Sequence, residues 1–275
     1  MANYTASDVK ALREKSGAGM MDCKSALDEA NGDVEKAFEI LRLKGLKGVS
    51  KREGRSTSNG LVVARVAGGK AMLLELACET DFVAKAENFV ALAEQAADAA
   101  FAAGAKDAQA ALAATTNGKS VADAITDQAA ILGEKVELRR VSVIEAPAVD
   151  AYLHRTSRDL PPQVGVLLGY EGSNAEVAHD IAVHIAAFSP QYLTRDEVPA
   201  DVVAKEREIA TETARNEGKP EAALEKIVEG RVTGFFKETC LVDQDFAKDN
   251  KSSVGKVAEQ AGLKLTGFVR FRVGA

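Results

Sequence analysis

Residues 61–83, LVVARVAGGKAMLLELACETDFV, contain the turn around which the rest of the chain can be organised. Two apolar runs, 61–66 and 71–78, flank Gly68-Gly69. This pair is a hairpin signal, because glycine readily adopts the backbone angles of a tight turn. Beyond residue 83, apolar residues recur at the spacing of one helix face. They are Phe89, Leu92, Ala96 and Ala100. The stretch therefore predicts a β-hairpin followed by a helix.

The segment Thr80-Asp81-Phe82-Val83 lies where the second apolar run gives way to that helix. Thr80 can cap the first free N–H groups, and Asp81 suits the positive end of the helix dipole. An exposed Phe82 beside this acid would suit a probe that inserts into another protein. Alternatively, Thr80 and Asp81 act only as caps while Phe82 folds back as a hydrophobic staple. The spacing alone leaves both interpretations open.

The same pattern recurs further along the chain. Tyr152-Leu153-His154 has the character of a strand, Pro161-Pro162 of a turn, and residues 164–170 of a returning strand. Another helical stripe follows, and it includes a histidine. Its members are Val177, Ile181, His184, Ile185 and Phe188. Hairpin followed by helix thus occurs twice, which predicts an α+β fold with a two-part core of similar half-domains.

The residues before the first hairpin predict three short helices with a very small core. A basic segment follows in which Lys and Arg alternate with Gly and Ser, as in a flexible, solvated tether. Its basic residues are Arg42, Lys44, Lys47, Lys51, Arg52 and Arg55. We therefore divide the chain into a three-helix module with a basic linker (1–54), a first core half (55–145) and a second core half (146–275).

Three further features lie within these halves. Apolar residues change phase at Arg139-Arg140, which predicts a β-bulge or a change of face. Two apolar stripes at about 196–240 predict an antiparallel helical hairpin that protrudes from the core. After Gly262 the apolar residues alternate, which predicts a last strand with all of them on one covered face. They are Leu263, Leu265, Gly267, Val269, Phe271 and Val273.

Composition narrows the function classes. Hydrophobic residues make up 46% of the 275 residues, and the formal net charge is −6. Strong general binding of nucleic acid is not expected, because counterion release needs clustered Lys and Arg. No apolar run approaches the ~20 residues of a membrane span, and Met1-Ala2-Asn3-Tyr4 do not resemble a leader. We expect a cytoplasmic protein with no direct contact to nucleic acid or membranes.

Catalytic and metal-binding patterns are weak. The sequence contains no GxSxG, P-loop or HExxH motif. Cys23, Cys78 and Cys240 are far apart and form no CxxC pair, as expected of free thiols in a reducing compartment. His184 lies on the apolar stripe and is interpreted as a core histidine. We expect no enzymatic chemistry, no cofactor and no metal site.

Two segments resemble the signatures of a known family. Residues 12–27, LREKSGAGMMDCKSAL, and 75–85, ELACETDFVAK, are similar to those of the bacterial elongation factor Ts family. Ala77 stands where the family usually has Asn. Shorter similarities continue in order along nearly the whole chain. They are 131–134, 139–141, 218–220, 228–231 and 266–271.

The resemblance implies a guanine nucleotide exchange factor that binds elongation factor Tu in its GDP-bound and nucleotide-free states. It also implies a ubiquitin-associated-like amino-terminal module and an inserted helical hairpin. Thr80, Asp81, Phe82 and Val83 would displace magnesium from the partner. Further partner contacts are implied for two groups of residues. They are Leu132, Gly133 and His154 in the core, and Met20, Met21 and Lys24 in the first module.

Some points depart from the family or stay open. Many members have a helix after the last strand, and the segment between His154 and Val164 is longer here than in the common pattern. The 196–240 hairpin could mediate self-association as a homodimer or touch the partner. Two other function classes remain: an adaptor that binds a protein through the three-helix module, and an RNA-binding protein that uses the basic segment.

Overall fold

A computed structural model of the chain describes residues 3–275, apart from the Lys47 side chain. Met1 and Ala2, the start of the stretch judged to lack a leader, lie outside the described residues. The fold is a mixture of helices and antiparallel sheets, as the α+β prediction required. The helices are α1 Ala6–Ser16, α2 Met20–Glu29, α3 Val34–Arg52, α4 Asp81–Ala84, α5 Glu87–Ala102, α6 Ala108–Ala113, α7 Val121–Leu132, α8 Ala175–Phe188, α9 Ala200–Asn216, α10 Glu221–Thr239 and α11 Val254–Gln260. The strands are β1 Asn59–Ala67, β2 Lys70–Cys78, β3 Thr115–Thr116, β4 Lys119–Ser120, β5 Val136–Glu145, β6 Ala148–His154, β7 Val164–Glu171, β8 Asp245–Phe246, β9 Asp249–Ser253 and β10 Lys264–Arg272.

Two three-stranded sheets share one connectivity. In the first sheet the order is β1-β2-β5, and in the second it is β6-β7-β10 read from the other edge. In each, a hairpin forms first and a later strand joins the hairpin's second strand. The two predicted hairpins are confirmed. The predicted bulge is confirmed as well, since the β2–β5 register shifts so that Arg140 opposes Glu75 while Leu138 opposes Leu76.

The two sheets pack face to face, with helices on the outer surfaces. Residues of both sheets form the cluster between them, including Val62, Leu73, Leu167 and Phe271. The helices α4, α5, α6 and α7 cover the far side of the first sheet, and α8 and α11 cover that of the second. A side-chain carbon at Gly165 would lie 2.7 Å from Cγ1 of Val62, so glycine allows the sheets to approach.

The amino-terminal module contains the three predicted helices. The prediction that the basic segment after them forms a flexible tether is wrong. Helix α3 continues through the basic segment to Arg52. It packs against α7, where Arg42 pairs with Asp127 at 3.2 Å and Arg52 donates to the carbonyl of Ala129 at 3.3 Å. A Cβ at Gly45 would lie 2.9 Å from Cβ of Ala130. The glycine that suggested flexibility therefore permits close helix packing.

The helical hairpin is formed by α9 and α10, joined by residues 217–220. Its internal cluster is small and consists of Ala210, Val228 and Val232, with Val203 and Phe236 packed against it. This agrees with the narrow apolar stripes expected from the sequence.

The last strand does not keep one apolar face. The register of β10 against β7 shifts between Leu265 and Gly267, because Thr266 is an extra residue in the strand. A bulge reverses which side chains point to each face. Leu265 and Phe268 consequently pack on the α8 side, whereas Phe271 lies between the sheets. The single-face prediction is therefore wrong.

Candidate functional site

The tip of the candidate site is the short helix α4 at the end of β2. Thr80 caps this helix by accepting a hydrogen bond from the Val83 amide at 3.4 Å. Val83 and Ala84 are buried in the core of the first sheet. The Phe82 side chain points outward and is 73% exposed, so it does not act as a staple. Thr80 therefore acts as a cap, as both interpretations allow, and Phe82 is exposed rather than folded back. Its insertion into another protein stays a prediction.

A lysine, which the sequence interpretation left out of the site, covers the tip. The Lys85 ammonium lies 4.5 Å from the centre of the Phe82 ring and 3.7 Å from Oδ2 of Asp81. A cation over an aromatic face is attracted to the ring's negative potential. Lys85 therefore contacts both members of the acid–aromatic pair.

Glu134 fastens the base of the tip. Its Oε2 accepts hydrogen bonds from the amides of Glu79 and Thr80 at 3.1 and 3.0 Å. Its Oε1 accepts from the Thr80 hydroxyl at 2.5 Å. The Thr80 oxygen thus donates to Glu134 while it accepts from the helix that it caps.

The carboxylate of Glu79 makes the reciprocal contact, because it accepts from the residue that follows Glu134. Oε1 of Glu79 accepts from the Lys135 amide at 2.6 Å, and its two oxygens accept from Arg55 at 3.2 and 3.1 Å. Burial would raise the pKa of Glu79, but the Lys135 amide and the Arg55 guanidinium outweigh it and lower that pKa. A carboxylate held this way stays ionised at neutral pH. The residues 79–80 and 134–135 are therefore joined from both sides.

Cys78 completes this junction from the core. Its thiol lies 3.2 Å from the carbonyl of Thr80 and donates to it. Burial and the nearby Glu134 carboxylate raise the pKa of this thiol to about 12. It therefore remains a protonated donor. Like Cys23 and Cys240, it is free and buried.

Leu132 and Gly133 lie at the end of α7, directly before Glu134. Leu132 is half-buried against the first core, and Gly133 ends the helix with φ +73. A Cβ at Gly133 would meet nothing within 4 Å. Glycine is favoured here by backbone conformation rather than by packing. Through Glu134, the structure brings this pair next to the tip.

Helix α2 exposes two methionines and a lysine, and the turn before it contacts the end of α7. Met20 and Met21 are 59% and 73% exposed, and Lys24 is exposed. The turn before α2 touches α7, since a Cβ at Gly17 would lie 2.6 Å from Cγ2 of Ile131. Exposed methionines are adaptable contact residues. The turn that precedes the two methionines therefore lies against the end of α7.

His154 is at the exposed end of β6 and stands apart from these contacts. Within residues 3–275 its ring is paired with the Tyr152 hydroxyl, at 3.0 Å from Nδ1. A series of backbone contacts relates it to the tip. The His154 carbonyl accepts from the Gln163 amide at 3.0 Å. The Gln163 carbonyl in turn accepts from the Val273 amide at 2.9 Å, and the next residue, Gly274, lies against Ser58. The structure therefore places His154 at the same end of the sheets without joining it to Thr80 or Glu134.

The core interpretation of His184 is confirmed. The residue is fully buried between the Ala247 amide, which donates to Nδ1 at 3.2 Å, and Gln244, whose Oε1 is 2.8 Å from Nε2. Burial lowers its pKa.

In residues 3–275, no group of three or more His, Cys, Asp or Glu side chains is arranged to hold a metal ion. Every helix in the described part of the chain is too short or too polar to span a bilayer.

Comparison with known proteins identifies the family. Residues 79–275, which begin at the junction below the tip, match the family described as Elongation factor TS. The chain belongs to the elongation factor Ts family. Proteins named Elongation factor Ts from Arthrobacter sp. (strain FB24) and Micrococcus luteus are 61% and 62% identical to it over the full length of both chains. One from Paenarthrobacter aurescens (strain TC1) is 60% identical, also over full length.

Membership of the elongation factor Ts family confirms the resemblance drawn from residues 12–27 and 75–85. It makes the chain a relative of translation elongation factors. The sequence interpretation missed Glu79, Glu134 and Lys85 as parts of the site. Their signal was present but unspecific, since each is a charged residue directly beside a motif residue.

Proposed function

We propose that this protein is a guanine nucleotide exchange factor. It binds elongation factor Tu carrying GDP, displaces the partner's magnesium ion and promotes GDP release. It does this without forming or breaking a covalent bond. The observation that supports this most is Phe82, which is 73% exposed on a helix whose next two residues are buried. A large aromatic on an anchored base is well suited to enter a partner, because aromatic residues dominate the energy of protein interfaces.

The mechanism requires only differential binding. A GTPase holds its nucleotide through backbone N–H groups and a magnesium ion at the phosphates. The factor must bind the empty partner more tightly than the loaded one, and it then weakens nucleotide binding by the same ratio. A factor with equal affinity for both states would shift nothing. Insertion of Phe82 into the partner near its metal site would supply this difference.

The remaining residues widen the contact. Asp81, beside Phe82, would alter the polarity around the metal without binding it, since one lone carboxylate is a poor magnesium site. Thr80 and Val83 hold the tip in place. The further contacts belong to the end of α7, to β6 and to α2. They are Leu132, Gly133, His154, Met20, Met21 and Lys24.

The arrangement of the chain fits the family's layout. We propose that α1, α2 and α3 form its ubiquitin-associated-like module, that the two sheets with their helices form its paired half-domains, and that α9 and α10 form its inserted hairpin. The first core half then carries the tip, and the second carries His154.

The test is the release of a fluorescent GDP analogue from elongation factor Tu. The full-length chain should accelerate release, and Phe82→Ala should weaken the complex by roughly 2 kcal/mol or more, the scale of an interface hot spot. Phe188→Ala is the matched control, because Phe188 is a 54% exposed aromatic at the end of α8. An unchanged stimulated rate for Phe82→Ala, or equal losses in both variants, would contradict the wedge.

The exposed methionines of α2 favour a second candidate, an adaptor that recruits a protein through α1, α2 and α3 without exchange activity. Replacing Met20 and Met21 with Ser distinguishes the two. An adaptor would lose its partner almost completely. An exchange factor would keep partial stimulation, because its tip on α4 is intact.

A further inference from the structure

Glu134 accepts three hydrogen bonds at the base of the tip. One carboxylate receives the amides of Glu79 and Thr80 and the hydroxyl of Thr80, at 3.1, 3.0 and 2.5 Å. Hydrogen bonds to an ionised acceptor are shorter and about twice as strong as neutral ones. Glu134 points inward to the tip, and its own exposure is intermediate. It is therefore built for the protein's internal geometry rather than for a partner.

The Glu134 contact joins two separate parts of the candidate surface. Thr80 precedes Phe82 on the tip, and Leu132–Gly133 precede Glu134 at the end of α7. The reciprocal bond from the Lys135 amide to Glu79 at 2.6 Å fixes the same two segments a second time. Because Glu134 accepts from residues 79–80 and Glu79 accepts from residue 135, any relative movement of the two segments would break hydrogen bonds to a carboxylate.

We infer that Glu134 is a positioning residue for nucleotide exchange. It holds the Glu79–Thr80 turn on the end of α7, so that Phe82 and the Leu132–Gly133 pair meet the partner as one preformed surface. The inference rests on the proposed exchange function and names the residue on which its geometry depends. A preformed surface binds better because less conformational freedom is lost on association. Glu134 acts through Phe82 and does not need to touch the partner.

The contact itself can be measured without a partner. Hydrogen exchange at the amides of Glu79 and Thr80 should be slow in the unmodified chain and at least ~10-fold faster in Glu134→Ala, since the acceptor of both amides is gone. Glu134→Gln keeps one acceptor oxygen and should fall between them. Unchanged protection in Glu134→Ala would overturn the inference whatever the exchange activity of the protein.

The positioning role is tested by a double-mutant cycle on GDP release from elongation factor Tu. Glu134→Ala should lower the stimulated rate ~10-fold in the unmodified chain and less than ~2-fold in the Phe82→Ala background, because coupled residues are not additive. Glu145→Ala, an exposed acid at the far end of β5, is the control and should leave the rate unchanged. Equal losses in both backgrounds, or no loss in either, would overturn the role.

The outcomes separate the two proposals. If the unmodified chain does not accelerate GDP release, the exchange function fails, while the hydrogen-exchange result still stands for the contact. If the unmodified chain accelerates GDP release and the Glu134→Ala variant accelerates it equally, the exchange function stands and Glu134 is not a positioning residue. Thermal unfolding of each variant shows whether a rate loss comes from unfolding.

Discussion

The Arg140 guanidinium lies 2.6 Å from the Glu75 carboxylate, measured from Nε to Oε2, and the Glu75 side chain is fully buried between the two sheets. Glu75 belongs to β2, the strand that leads to the tip. Arg140 also donates to the carbonyl of Arg272 at 2.8 Å and lies 4.3 Å from the centre of the Phe271 ring. It therefore connects the strand that carries the tip to β10 in the second sheet.

Because Glu75 is buried and Arg140 is partly exposed, replacing each of them should lower the free energy of unfolding by a different amount. Arg140→Met would leave the carboxylate of Glu75 buried with Arg139 at 3.6 Å as its remaining cation. Breaking a buried pair in this way costs about 3–5 kcal/mol. Glu75→Leu should cost less, since the Arg140 side chain is 33% exposed and can be hydrated. Urea unfolding of the two variants measures the difference, and a larger loss for Glu75→Leu would contradict this account.

Gly45 and Gly48 offer a matched pair on α3. A Cβ at Gly45 would meet the Cβ and carbonyl oxygen of Ala130 at 2.9 Å, whereas at Gly48 it would meet the end of the flexible Arg52 side chain. Gly48→Ala should gain about 0.5–1 kcal/mol from helix propensity, offset in part by the shift of the Arg52 guanidinium that donates to Ala129. Gly45→Ala should lower the free energy of unfolding by about 1 kcal/mol or more through overpacking against α7. Denaturant unfolding checks both, and a gain in both variants would show that α3 does not pack tightly on α7.

His184 should make stability depend on pH. Its pKa is lowered by burial from the usual 6.5, although Gln244 partly opposes the shift. As the pH falls below about 6.5, the unfolded chain binds a proton that the folded chain refuses, so the free energy of unfolding decreases. His184→Gln, which stays neutral, should flatten this part of the profile between about pH 7 and about pH 5. His154→Gln is the control, because His154 is exposed at the end of β6 and its ring contacts the Tyr152 hydroxyl rather than a carboxylate. An identical slope in His184→Gln and the unmodified chain would rule out His184 as the cause.

The parts of the fold that followed from the sequence are those encoded locally. The hairpin at Gly68-Gly69 is set by its own turn and alternation. The strand-to-helix junction at residues 80–83 was predicted in the same way, whereas the choice between an exposed and a folded-back Phe82 was left open and is decided by the structure.

The parts that did not follow depend on residues distant in the chain. The continuation of α3 depends on α7, because Gly45 packs on Ala130 only in the folded state. The Glu134 contact joins residues 55 and 54 positions apart, which no local pattern encodes. In β10 the extra residue Thr266 is visible only as a register shift against β7. Alternation in the sequence continues across it and so predicts the wrong face.

Gly133 allows backbone strain to be separated from partner contact. It has φ +73 at the end of α7, and Gly104 after α5 has φ +69. A Cβ would meet nothing within 4 Å at either position, so neither substitution creates a clash in the free protein. Ala at either site should cost about 1 kcal/mol of stability, and Asn less, because Asn tolerates left-handed backbone angles better.

The two glycines should differ in exchange. If elongation factor Tu closes on the end of α7, an added side chain at Gly133 obstructs it, so Gly133→Asn should lower stimulated GDP release even though stability is nearly kept. Gly104→Asn should leave release unchanged, since Gly104 is remote from the tip at the opposite end of α5. Fluorescent GDP release and thermal unfolding, measured on all four variants, give the two readouts. Normal release with Gly133→Asn would place Gly133 outside the interface and leave it only the role of ending α7.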